Sequence, residues 1–241
     1  MQNSPQESLP PFRSISSKPM LFLNLILGSF WVFLTLFFLT GLIFLLTSSL
    51  NETGLDEAGT IVMSLVFSII LLGIAILLIY SKNKMFTTTI IDEKGIHYFN
   101  KFNGRIVKGI PWNSFAKREK LKHYFEPPKY DVTSIRPSKS FYDQFYWPVM
   151  IDGKVIAHND AFLGRHFFVM LYANRAELIR TFLLGIKHYR PDITIDPIIY
   201  TDHYINPETF TIDKKQRLKV EIIGGLLCIL IFALLCYFIV E

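Results

Sequence analysis

The residues best able to do chemistry are cations. The run Lys117-Arg118-Glu119-Lys120-Leu121-Lys122 places four positive charges within six residues. Held near a bilayer, such a patch attracts anionic headgroups at about 1 kcal/mol per close Lys or Arg. Lysines spaced this way also line solvated strand edges, where they discourage edge-to-edge pairing. Lys117, Arg118, Lys120 and Lys122 are therefore the candidate lipid contacts, with a plain solvated edge as the competing role.

Other chemistry finds little support in the spacing. His97, His123, His158, His166, His188 and His203 are scattered, with no H-E-x-x-H and no close ligand pair. His158 with Asp160, and His188 with Asp192, are the sequence neighbours that would bring an imidazole to a carboxylate. Nucleophile-elbow, phosphate-loop and dinucleotide glycine patterns are missing, and the glycines stand singly. The only cysteines, Cys228 and Cys236, are eight residues apart in an apolar run; on a helix they stand about 12 Å apart and cannot bridge. No catalytic residue, metal or cofactor is expected.

Three apolar blocks must position whatever the cations do. The 241-residue chain is 51% hydrophobic, and its mean hydropathy of +0.33 is high for a soluble domain. Residues 21–46, 61–80 and 220–240 carry almost no charge, and about 20 apolar residues span a ~30 Å hydrocarbon core. Three transmembrane helices are expected. The first is too long for a signal core and no small-residue cleavage site follows it. Apart from Glu221 at the edge of the third, Asn24 is the one strongly polar side chain within them, and no ionisable group lies at mid-depth as a transporter would require. Ser64 with Ser68, and Gly224 with Cys228, are small residues four apart that suit close helix packing.

Flanking charge sets the orientation. Arg13 and Lys18 precede the first block, Lys82 and Lys84 follow the second, and Lys214, Lys215, Arg217 and Lys219 precede the third. The loop at 47–60 holds Glu52, Asp56 and Glu57 and no cation. The positive-inside rule then puts residues 1–20 and 81–219 in the cytoplasm, with the 47–60 loop and Glu241 outside. The Asn51-Glu52-Thr53 acceptor lies too close to the membrane for glycosylation and reads as chance.

Residues 81–219 contain 23 Lys and Arg against 14 Asp and Glu, a basic surface whose place at a membrane needs no nucleic acid to explain it. The pattern predicts strands over 86–91, 96–100, 105–112, 120–125, 145–151, 155–158 and 166–172, with Asn103-Gly104 and Asp152-Gly153 as hairpin turns. A helix is expected over 175–188, capped by Asn174 with Glu177 and carrying an apolar stripe of Leu178, Ile179, Phe182, Leu183 and Ile186. The proline-rich stretch 126–143 reads as a loop whose closing aromatics, Phe141, Tyr142, Phe145, Tyr146 and Trp147, suit either an interface or the core. Residues 191–218 read as a connector, with Asp213 and Gln216 capping the last helix.

The segment Thr87-Thr88-Thr89-Ile90-Ile91-Asp92-Glu93-Lys94-Gly95-Ile96, then Ile110-Pro111-Trp112, then the helix from Arg175, resembles the bacterial pleckstrin-homology-like domains tethered to transmembrane helices. The resemblance covers about 85–190 and implies a β-rich barrel plugged at one end by the helix. The first hairpin turn carries Asp92 and Glu93 beside Lys94, unlike the cation-rich turn of phosphoinositide-binding members. The expected protein is multi-pass in the inner or plasma membrane of a bacterium, with a cytoplasmic PH-like domain. Its leading expected role is a non-enzymatic interaction or regulatory module for a membrane-protein partner. Sensing of anionic lipid headgroups, and catalysis on a membrane substrate, are the alternatives.

Overall fold

The computed structural model describes residues 9–118, 129–138, 142–219, 222, 223 and 226. It is a mixed α/β fold with two helices long and apolar enough to span a membrane. Helix α1, Leu21–Thr47, and helix α3, Glu57–Ser81, have 27 and 25 residues. At 1.5 Å per residue they run for about 40 Å. Between them, Leu50–Thr53 forms the single turn α2, closed by a capping box of Ser49 and Glu52. Helix α3 starts four residues before its apolar run because the Asp56 carboxylate accepts the Gly59 N–H. The two long helices pack closely where Gly41 meets Phe67: a β-carbon on Gly41 would lie 2.4 Å from that ring. The third apolar block, 220–240, falls almost wholly outside the described residues. Its approach is helical over 214–219, and Asp213 caps it by accepting the Lys215 and Gln216 N–H groups.

The rest is built on two antiparallel sheets. One has the order β1 (Ile15–Ser16), β2 (Thr88–Asp92), β3 (Gly95–Asn100), β4 (Arg105–Pro111). The other has the order β5 (Thr133–Ile135), β6 (Gln144–Ile151), β7 (Lys154–Asp160). The expected Asp152-Gly153 turn holds, with φ of 50° and 75° as a two-residue hairpin with the right twist demands, whereas Asn103 and Gly104 belong to a longer β3–β4 turn over 101–104. Gly95 is dictated by crowding. A β-carbon there would sit 2.1 Å from the Ile110 carbonyl oxygen, at a φ of 148°.

Helix α4, Arg175–Tyr189, buries its stripe against both sheets. Phe182 meets Trp147 at 4.8 Å and Phe162 at 5.0 Å between ring centroids. Phe145 and Trp147 are thus core residues, while Tyr142 is at the surface and Phe141 lies outside the described residues. Gly185 leaves room for Trp112, whose ring a β-carbon would meet at 2.5 Å; the indole N–H donates to the Asp92 carbonyl. A short helix α5, Pro197–Asp202, follows in the connector.

One strand is unforeseen and three local expectations are corrected. The chain before α1 pairs as β1 with β2, where Ser17 and Thr89 exchange hydrogen bonds. The 126–143 stretch contains β5, because Thr133–Ile135 finds Gln144–Tyr146 as a ladder partner. Asn174 does not cap α4 with its side chain. It ties down β1 instead, accepting the Lys18 N–H at 2.7 Å and donating to the Ser16 carbonyl at 2.9 Å. Residues 166–172 are not a strand; most of them belong to a tight finger that packs on α1. The strand expected at 120–125 lies outside the described residues.

Candidate functional site

The finger comprises residues 164–170. It closes through Gly164 N–H to the Met170 carbonyl and Val169 N–H to the His166 carbonyl. Gly164 is required there, since a β-carbon would lie 2.1 Å from the Val169 carbonyl oxygen. Arg165 and Phe86 exchange backbone hydrogen bonds, so the finger is braced against the chain that leaves α3.

On its other side the finger is fastened to α1 by one side chain. Asn24 Oδ1 accepts the N–H groups of Met170 and Leu171 at 2.9 and 2.8 Å, and Nδ2 donates to the Leu171 carbonyl at 2.8 Å. Asn24 is 2% exposed. A buried amide with three partners is satisfied; a buried amide without them would cost several kcal/mol. One turn further along α1, Gly28 receives the Phe168 ring, and Trp31 packs on Phe167 at 5.3 Å. The spacing 24, 28, 31 follows one face of a helix, so α1 presents a continuous stripe to the domain. The finger tip reaches about 10–15 Å along α1 from its first residue.

A cleft of about 670 Å³ opens beside the finger. Its walls include Lys84, Arg165, Lys108, His158, Asp160 and Tyr98. Lys108 Nζ lies 3.0 Å from His158 Nδ1. An ammonium has only donors, so Nδ1 accepts and the imidazole proton sits on Nε2. Burial, aided by the Lys108 charge, pulls the His158 pKa down to about 3, keeping the ring neutral. Burial also lowers Lys108, against the pull of Asp160. The Tyr98 hydroxyl donates to Asp160 at 2.5 Å, and Asp160 accepts the Phe162 N–H at 2.9 Å. Burial raises the Asp160 pKa and raises that of Tyr98 well above the usual phenol range. His158 therefore meets a lysine rather than the carboxylate of Asp160. His188 likewise meets a backbone group: its Nε2 lies 2.8 Å from the Pro10 carbonyl, while Asp192 pairs with Arg190.

A second cavity, about 500 Å³, lies between Met20 and Arg217 with Arg175 and His203 in its wall. Arg175 is committed to structure, donating to the Ala161 and Asp143 carbonyls and lying over Tyr142. His203 is drawn down to about 4, first by burial and then by the Arg175 charge. The cavity does bring the start of α1 and the approach to the third block to one side of the domain.

Of the predicted basic patch, only Lys117 and Arg118 lie among the described residues. Lys117 is exposed, and Arg118 bonds Thr133 through its guanidinium and Asp131 through its backbone N–H. Both sit where α4 ends, beside Phe115, whose carbonyl accepts from Arg190. Helix α1 enters at the opposite end of α4, where Lys18 bonds Asn174 and Ala173. The length of α4 separates these ends by about 20 Å. Lys120 and Lys122 lie outside the described residues. Lys84 and Arg165 stand together at the end of α3, with Lys108 in the same cleft. Sequence spacing missed them because they come from three separate segments; Asn24, alone and polar in an apolar run, was the legible signal.

Among the described residues no group of three His, Cys, Asp or Glu side chains could hold a metal ion. Comparison of the chain with protein-family models, curated proteins and solved structures finds no match, so the functional reading rests on this geometry alone.

Proposed function

We propose that the chain is an integral membrane protein whose cytoplasmic PH-like domain is clamped to its own membrane helices and serves as a non-enzymatic interaction or regulatory module of a membrane complex. The observation that carries this is the Asn24 clamp. A polar side chain in a helix of membrane-spanning length makes three hydrogen bonds to the domain's backbone at Met170 and Leu171, where the finger ends. The exposed faces of α1 and α3 are apolar, with Phe22 at 75% and Ile79 at 75% exposure, as surfaces facing lipid would be. In favour of the PH-like reading are two antiparallel sheets followed by the amphipathic helix α4, although one strand of the first sheet, Ile15–Ser16, precedes α1. The β6–β7 hairpin offers a partner surface on which Met150, Ile151 and Ile156 stand exposed. The test is co-purification of the full chain in mild detergent. A stoichiometric membrane-protein partner, lost in the Ile156→Asp variant, is expected; isolation of the chain alone under several growth conditions contradicts the role.

Anionic-lipid sensing is the second reading. Lys84 and Arg165 favour it, because they stand where a headgroup would lie if α1 and α3 cross the bilayer.

A further inference from the structure

Three hollows on the domain's helix side are neighbours that share wall residues. The first, about 260 Å³, is an apolar groove between α1 and α3, lined among others by Val32, Leu36, Ile74, Leu77 and Phe167. The second, about 460 Å³, shares Leu77 and Phe167 with the groove and adds Tyr80, Lys84 and Arg165. The third is the polar cleft, which shares Lys84, Gly164 and Arg165 with the second and extends to Lys108 and Asp160. Taken along this path, their walls change from hydrocarbon to cations to hydrogen-bonding groups. That order is the order of parts in a phospholipid.

We propose that one anionic phospholipid lies along this path, with an acyl chain between α1 and α3, its phosphate at Lys84 and Arg165, and a hydroxyl-bearing headgroup in the cleft. Each part meets its chemical complement. The groove has almost no polar surface, so an acyl chain loses nothing by entering it. Two cations at the cleft mouth match a phosphodiester. Deeper in, Asp160 and the side chains of Gln144 and Asn159 supply acceptors and donors for hydroxyls, while Lys108 and neutral His158 close the far wall. Lys84 donates to the Tyr80 hydroxyl at 2.8 Å, and both residues line the second hollow. A choline headgroup would bring a cation against Lys108 and is disfavoured.

This inference rests on the reading that α1 and α3 cross the bilayer with the finger docked on them. Its test uses the full chain, exchanged into nanodiscs of equal phosphatidylglycerol and phosphatidylcholine, released and weighed by native mass spectrometry. One phosphatidylglycerol per chain is expected to survive, in about tenfold preference to phosphatidylcholine. Arg165→Gln and Lys84→Gln are each expected to lower the retained lipid about fivefold, and Lys117→Gln to leave it unchanged. Equal retention of the two lipids by the wild-type chain overturns the proposal, as does a retained lipid indifferent to both variants. Displacement of the lipid by millimolar sn-glycerol 1-phosphate would overturn it in favour of a soluble phosphate ligand. A thiol cross-link between positions 31 and 167, measured in the same variants, separates the cases: if it forms while no lipid is retained, the docked arrangement stands and the lipid site falls.

Discussion

Gly28 and Phe168 touch so closely that a β-carbon on Gly28 would stand 2.3 Å from the Phe168 ring. The contact joins a helix residue to a finger residue 140 positions later, and it sits one turn from Asn24. Together the two positions make the finger and α1 one packed unit, which holds Arg165 beside Lys84 at the end of α3.

Gly28→Val should push Phe168 out of its seat. Overpacking costs about 1–3 kcal/mol, softened here because the ring is 42% exposed and can swing. Hydrogen exchange of the finger amides in nanodiscs is expected to speed up, while exchange in α4 stays slow.

Asn24→Leu should be worse than its size suggests. It leaves the Met170 and Leu171 N–H groups without an acceptor in a buried site, at about 1–3 kcal/mol for each. The midpoint of thermal unfolding in detergent is expected to fall, and Asn24→Asp to restore part of the loss by keeping an acceptor.

Gly95→Ala tests the hairpin. The φ of 148° and the Ile110 carbonyl leave no place for a methyl group, so the β2–β3 turn must open. A loss on the order of 1–3 kcal/mol is expected from backbone strain alone, read as a lowered unfolding midpoint.

The domain should weaken in mild acid. His158 and His203 have folded pKa values of about 3 and about 4, below the ordinary 6.5. The unfolded chain then binds more protons than the folded one between about pH 6.5 and those values, so stability present above pH 6.5 is lost as pH falls. Lys108, Tyr98 and Trp147 face His158, with Asp160 acting on Lys108 and Tyr98 behind them; Arg175, Asp143, Arg136 and Arg217 surround His203. Asp160 titrates with the opposite sign, its raised pKa adding stability as pH falls. His158→Gln and His203→Gln are each expected to flatten the decline in unfolding free energy from pH 7 to pH 5; an unchanged slope in both would contradict the burial of these rings as its cause.

The legible parts of this fold were those written in consecutive residues. Apolar blocks gave α1 and α3 to within a few residues, Asp152-Gly153 gave its turn, and the stripe from Leu178 to Ile186 gave α4. Local signals misled where a side chain had a distant partner. Asn174 has the local signature of a cap, but Ser16 and Lys18, over 150 positions away, take its hydrogen bonds. Residues 166–172 have strand composition, yet Phe167 and Phe168 are apolar because they meet α1. The cleft was invisible for the same reason: Lys84, Lys108 and Arg165 are ordinary surface cations until the finger folds back on the end of α3.

The docking of the finger on α1 is tested most directly by cross-linking the full chain in the cells that express it. Cys228 and Cys236 are first replaced by alanine, then Trp31→Cys is paired with Phe167→Cys, whose native rings lie 5.3 Å apart. Rapid intramolecular bridging by a short bis-thiol reagent is expected, abolished when Asn24→Leu is added. Absence of the bridge in the otherwise native chain, with both thiols reactive toward a small maleimide, would contradict the docked arrangement.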